Sequence, residues 1–267
     1  MGPPRGTCCP PRVAQATEST SGWRNAASYA HLLGADRTIF AWEWLRRDPD
    51  YRAAACAIKC DDSAAPCGTP ASFGLLAFEP PDRSAPDARP LWTAEHSPFV
   101  LAVERVCRGR APDWFEPDRF PGLATLTESE RGEHLLLSDG LRAVRLDGPP
   151  GVFTSGPAVL RYRLEGVAAA EQPLLTLRRF LALCRCGGFS RSLHAREQRA
   201  RRWILMLRTL DGLRAGADQR ELAQAMLGAE AAAPRWRTRE PSMRSRVQRM
   251  VRSARAMAAG GYLALLR

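Results

Sequence analysis

The chain has 267 residues, 45% of them hydrophobic and 25% charged, which is a globular composition in a chain long enough to bury a core without disulfide staples. No apolar run approaches the roughly 18 residues that a bilayer-crossing helix needs, so a membrane partner is not expected, and Met1 to Arg12 lacks the apolar stretch of a secretory signal. The expected location is the cytoplasm, where the eight cysteines would be mostly free thiols.

The formal net charge is +11, and because Lys59 is the only lysine the basic side is almost wholly arginine. Such a balance favours polyanionic partners. The excess is also regional. Ser190 to Arg267 contains 17 arginines against 6 acidic residues, whereas Met1 to Phe189 is even at 22 basic and 22 acidic. A genome-wide preference for arginine codons would not concentrate the charge in this way, so the partner-facing surface is expected in the last 78 residues.

Residues 1–21, rich in Pro, Gly, Ser and Thr without an apolar period, read as a disordered leader. Residues 22–63 read as a helical module. Within it Thr38 to Arg47 forms a compact aromatic helix that ends near Asp48-Pro49, with Phe40, Trp44 and Ile39 sharing a face. Residues 64–90 contain six prolines and are taken as mostly linker around one apolar island, Phe73 to Phe78, a candidate strand.

Residues 91–170 are expected to be β-rich. Short apolar runs recur at Phe99–Val103, His134–Leu137, Leu141–Leu146 and Val159–Leu164, and the last two alternate apolar residues with arginine as strands with one wet face do. Ser138-Asp139-Gly140 suggests a hairpin, and the whole reads as a small antiparallel sheet.

Residues 171–267 read as helical. Leu174, Leu177, Phe180 and Leu181 mark a first helix, and Trp203, Met206, Leu207, Leu210 and Leu213 form one face of a stronger helix over Arg199 to Arg214. Gly216 stops it. Asp218 and Glu221 have capping-box spacing ahead of a helix that Gly228 ends, and Pro241 opens a long final helix to about Ala258. On that last helix Met243, Val247, Met250, Val251, Ala254 and Ala258 fall in one sector of roughly 100°, opposite Ser245, Gln248, Arg249 and Arg252. Tyr262, Leu263, Leu265 and Leu266 then fold back onto the core after the Gly260-Gly261 break.

The expected fold class is therefore α+β: a small antiparallel β region packed with a C-terminal three-helix, helix-turn-helix-like unit, and a short N-terminal helical module. Its expected partner is double-stranded DNA, read sequence-specifically by the final helix. Arg244, Arg246, Arg252 and Arg255 would hold phosphates, Ser245, Gln248 and Arg249 would approach base edges, and Arg199, Arg201 and Arg202 would add backbone contacts. The break from Gly228 to Glu240 is longer than the usual 3–4-residue turn, and its Arg235, Arg237 and Arg239 would touch the DNA backbone. Two other partners compete. One is an acidic protein met by the same arginines in a structural or interaction module. The weaker one is RNA, for which paired aromatic strand motifs are lacking.

The segment Asp218-Gln219-Arg220-Glu221-Leu222-Ala223 through Gly228, then Trp236, Arg244-Ser245-Arg246-Val247 and the ending Ala259 to Leu266, resembles the RovC-like family. That family takes its name from the DNA-binding domain of a transcriptional activator of type VI secretion. The likeness covers about the last 100 residues and is expected to reach the strands from His134 onward. Trp23-Arg24, Tyr29, Arg37, the run Phe40 to Arg47 and Asp50-Tyr51 resemble a short proteobacterial transcriptional-regulator-like module that precedes such domains. The resemblance implies DNA binding, a role in transcription and oligomerisation of the protein with itself.

Other chemistry has little support. Cys56, Cys60 and Cys67 lack a fourth zinc ligand and paired spacing, and Cys184-Arg-Cys186 is too close-set for a tetrahedral knuckle. The four histidines are scattered without a metalloprotease or nucleophile motif, and Gly148-Pro-Pro-Gly151 lacks the lysine of a phosphate loop. No metal, cofactor or catalytic residue is expected.

Overall fold

The computed structural model describes residues 22–57, 68–106, 113–228 and 241–267. The leader expected at residues 1–21, Cys60, Cys67, Cys107 and the loop carrying Arg235, Trp236, Arg237 and Arg239 lie outside the described residues. The chain divides into two compact units: one joins the N-terminal residues through Ala30 to Leu205–Ala254, and the other joins His31–Ile204 to Arg255–Arg267.

In the larger unit, helices α1 (Arg37–Leu45) and α2 (Pro49–Ala57) form the aromatic module. Every residue of α1 from Ile39 to Leu45 is buried, so the helix is covered all round rather than on the single face expected from Phe40 and Trp44. The cover comes from the stretch expected as linker. Trp42 Nε1 donates to the Arg83 carbonyl at 3.0 Å, the Tyr51 hydroxyl donates to the Glu79 carbonyl at 2.6 Å, and Leu75 and Ala88 are fully buried. Phe73 to Phe78 is not a strand: a 3₁₀ turn at Pro70–Phe73 is followed by one isolated bridge between Leu75 and Trp92. Pro80, Pro81, Pro86 and Pro90 deny this stretch a strand ladder, yet its apolar side chains still find aromatic surface to cover.

The sheet has six strands in the order β2-β6-β1-β5-β4-β3: β1 (Val100–Val106), β2 (Trp114–Phe115), β3 (Ala124–Ser129), β4 (Gly132–Ser138), β5 (Ala143–Gly148) and β6 (Ala158–Arg163). The four anticipated runs fall on β1, β4, β5 and β6, and the expected hairpin joins β4 to β5, with Asp139 Oδ1 accepting from the Leu141 and Arg142 amides at 3.0 and 2.7 Å. The expectation of a purely antiparallel sheet is corrected. β5 runs parallel to β1, pairing Val100 with Arg145, because β4 and β5 return alongside β1 by a non-local path that no strand pattern encodes.

Period-two alternation sends Leu101, Val103, Leu135, Leu137, Val144 and Leu146 to one face, where they meet Phe180 and Leu183 of helix α3 (Glu171–Cys186). The inner stripe of α3 is Thr176, Phe180, Ala182 and Leu183, whereas Leu174 and Leu181, expected inside, are exposed. The other face of the sheet is not wet, as the alternation of β5 suggested. Arg145 is only 7% exposed, donates Nε and Nη2 to Asp147 at 2.8 and 2.6 Å, and donates Nη1 to the Trp92 carbonyl. The chain ends in a 3₁₀ turn, Gly261–Leu265, that packs on α1 with Tyr262, Leu265 and Leu266 buried as anticipated.

Candidate nucleic-acid interface

The smaller unit is built from three helices, α4 (Ala200–Arg214), α5 (Gln219–Leu227) and α6 (Pro241–Ala258), whose terminal turns at Ala200–Ile204 and Arg255–Ala258 belong to the larger unit. Met206, Leu207 and Leu210 of α4 are buried, as the 3.6-residue period requires. Gly216, at φ 81°, makes the left-handed stop of α4 that a side chain would strain. Asp218 then caps α5: its carboxylate accepts from the amides of Arg220 and Glu221 at 2.7 and 2.8 Å, and Glu221 Oε2 accepts from the Asp218 amide at 3.0 Å.

The core of this unit joins Trp23, Leu222, Ala223, Val247 and Val251. Trp23, from the N-terminal segment, packs in this core. A Cβ at Gly212 would lie 2.7 Å from Leu222 and 3.1 Å from Trp23, so a glycine is what lets the indole lie against α4. Arg208 donates to the carbonyls of Trp23 and Arg24, both at 2.9 Å, and Tyr29 donates its hydroxyl to Asp211 at 2.7 Å.

That packing decides which side of α6 is free. Val247, Met250, Val251 and Ala254 are buried, while Arg244, Ser245, Arg246, Arg249, Arg252 and Arg255 are exposed and Gln248 is half-buried. Among the described residues none of these five arginines is in an ion pair. Arg199, Arg201 and Arg202 are also exposed, just before and within the first turn of α4. Arg235, Arg237 and Arg239 lie outside the described residues. Arg24 lies 4.2 Å over the Trp23 ring and donates to Glu221 at 2.6 Å, partners that its place in the Trp23-Arg24 pair did not foretell because Glu221 lies 197 positions away.

Elsewhere, the Cys184 thiol is pushed up to about 11 by burial, which Arg119 only partly opposes. Among the described residues no group of three or more His, Cys, Asp or Glu side chains could hold a metal ion, and no described helix is long and apolar enough to cross a membrane.

A packed helical unit that leaves an arginine row exposed on one helix offers a surface suited to a polyanion. Residues 166–267 match the family described as the DNA-binding domain of a T6SS transcription factor, RovC, and residues 22–72 match the proteobacterial transcriptional regulator-like domain. The first match begins after β6, so the expected extension of the likeness back to His134 is not part of it. No curated protein and no solved structure matches the chain.

Proposed function

We propose that the protein regulates transcription by sequence-specific binding of double-stranded DNA through α6, used as the recognition helix of a helix-turn-helix-like trio α4-α5-α6. The observation that carries this reading is the solvated arginine row of α6, held open because Val247, Val251 and Ala254 commit the opposite face to the core. Ser245 and Arg249 lie four residues apart, so they share one face and project together; a helix in the major groove presents such a pair to base edges. Arg244, Arg246, Arg252 and Arg255 flank the pair and take phosphates, and Gln248 approaches bases from the half-buried border. Arg199, Arg201 and Arg202 add phosphate contacts. The family likeness favours self-association, which would set the spacing of two half-sites.

The test is a fluorescence titration of random duplex, single strand and RNA at several salt concentrations, followed by selection of binding sites from a random duplex pool. The expected result is duplex binding that weakens steeply with salt and a selected consensus. Absence of micromolar duplex binding at low salt would overturn the reading in favour of an acidic protein partner, and preference for RNA would overturn it in favour of RNA.

A further inference from the structure

Within the larger unit a cavity of about 580 Å³ opens between α1, the sheet face that carries Arg145, helix α3 and the loop around Glu197. Its size is that of pockets that hold small organic ligands, roughly 300–1,000 Å³. Much of its wall is apolar: Trp92, Leu136 and Leu266, all buried, line it. Its charges are not balanced. Five arginines line it against two acids, Asp36 and Glu197.

Most of those charges are already committed. Arg37 donates to Glu197 at 2.6 Å, Arg145 is held by Asp147 and the Trp92 carbonyl, and Asp36 accepts from the Ala143 amide at 3.3 Å and lies 3.3 Å from His194 Nδ1. Arg179 is different. Its Nε donates to the Leu193 carbonyl at 3.0 Å and its guanidinium lies 5.9 Å from the centre of the Phe99 ring, but neither Nη has an acceptor among the described residues. A half-buried guanidinium with two nitrogens unspent is costly unless an anion completes it. Burial holds Arg179 below the usual arginine range, with the Asp36 charge only partly opposing.

We propose that this cavity binds a small amphipathic carboxylate, its apolar body against Trp92, Phe99 and Leu136 and its carboxylate on the two free Nη groups of Arg179. A planar guanidinium offers parallel N–H donors to a carboxylate, and the Nε bond to the Leu193 carbonyl anchors it. Residues 35–38 come from the transcriptional-regulator-like segment, and Leu175, Arg179 and Leu266 from the RovC-like segment, so one bound molecule touches both. The pocket therefore has the make-up of an effector site, and it does not depend on how α6 meets DNA.

The experiment uses the full chain with 1-anilinonaphthalene-8-sulfonate as a fluorescent probe of an apolar body bearing one anionic group. Saturable binding of one probe per chain is expected, displaced by decanoate and not by decanol. Arg179→Gln should weaken it at least ten-fold, and Arg178→Gln, an exposed neighbour outside the cavity, should leave it unchanged. Should Arg179→Gln fail to fold by circular dichroism, Leu175→Trp decides the matter: it fills the cavity from a half-exposed helical position without touching the charge, and should abolish binding. Binding that does not saturate, equal displacement by decanol, or undiminished affinity in Leu175→Trp overturns the proposal.

Discussion

Arg208, buried in α4, donates its Nε to the carbonyl oxygen of Trp23 at 2.9 Å, across 185 positions of sequence. Its Nη2 reaches the carbonyls of Arg24 and Ala225 at 2.9 and 3.3 Å, so a single guanidinium ties the first described residues of the chain to α4 and α5. The indole of Trp23, fully buried, fills the space among Leu222, Val247 and Val251 that those bonds enclose. The N-terminal segment is thus a structural member of the unit that bears the arginine row.

Arg208→Met keeps much of the side-chain volume and removes all three bonds, leaving carbonyl groups without a donor. A loss of roughly 3 kcal/mol is expected in urea unfolding, since bonds from a charged donor are worth about 1.5–3 kcal/mol each and only some of the freed carbonyls can reach water. Arg208→Lys should recover little of it, because an ammonium on a flexible stem cannot span three carbonyls. Full stability in Arg208→Met would show that Trp23 is held by packing alone.

Asp218→Ala removes the side-chain acceptor for two amides at the start of α5 and should lower stability by about 1 kcal/mol. A shift of the denaturation midpoint with an unchanged slope is the expected reading. DNA affinity measured well below the transition should be untouched, since Asp218 carries no proposed contact.

On α6 the two classes of contact should separate. Arg249→Ala is expected to relax preference for the selected site while leaving random-duplex affinity nearly constant; a base-edge contact is worth about 1–3 kcal/mol of discrimination. Arg255→Ala should weaken every duplex alike and reduce the salt slope by about one unit. Identical slopes and uniform losses for both variants would remove the distinction.

Glu43 makes the acid limb of stability predictable. Burial pushes its carboxyl up, but Arg47, Arg46 and the Ala85 amide together outweigh that and hold it below its ordinary value of 4.5. A carboxyl that titrates lower in the folded chain stabilises it above pH 4.5 and loses that contribution as pH falls below this value. Glu43→Gln should therefore flatten the decline in melting temperature below pH 4.5. It should also cost roughly 3 kcal/mol near neutrality, since it removes the carboxylate that the largely buried Arg46 and Arg47 share. An unchanged acid limb in this variant would assign the transition to other carboxylates.

Gly140 sits in the β4–β5 hairpin at φ 84°, with a Cβ built there meeting the Pro86 carbonyl oxygen. Both the left-handed backbone and the contact oppose a side chain, so Gly140→Ala should cost at least about 1–3 kcal/mol. Gly122→Ala shares the positive φ but has open space around the new Cβ, and the difference between the two variants measures the contact alone.

Local signals were reliable where the energetics are local. The apolar period of α4, the capping box at Asp218, the Pro241 start of α6 and the Asp139 hairpin each depend on residues within a few positions, and each is found where the sequence places it. Periodicity failed where both sides of an element are covered. Arg145 alternates with Val144 and Leu146 as a wet residue would, yet the segment around Trp92 closes over it, and α3 turns Leu174 and Leu181 outward because Phe180 and Leu183 fit the sheet.

Charge location, helix boundaries and the small-residue stripe of α6 were settled by the amino-acid order itself, because each follows from residues at most a few turns apart. The parallel partnership of β1 and β5, the burial of Trp23 against α5 and α6 and the convergence of five arginines on one cavity were decided only by tertiary structure. Those relations join residues tens to hundreds of positions apart, and which apolar surface covers which is a competition among whole elements that no local pattern records.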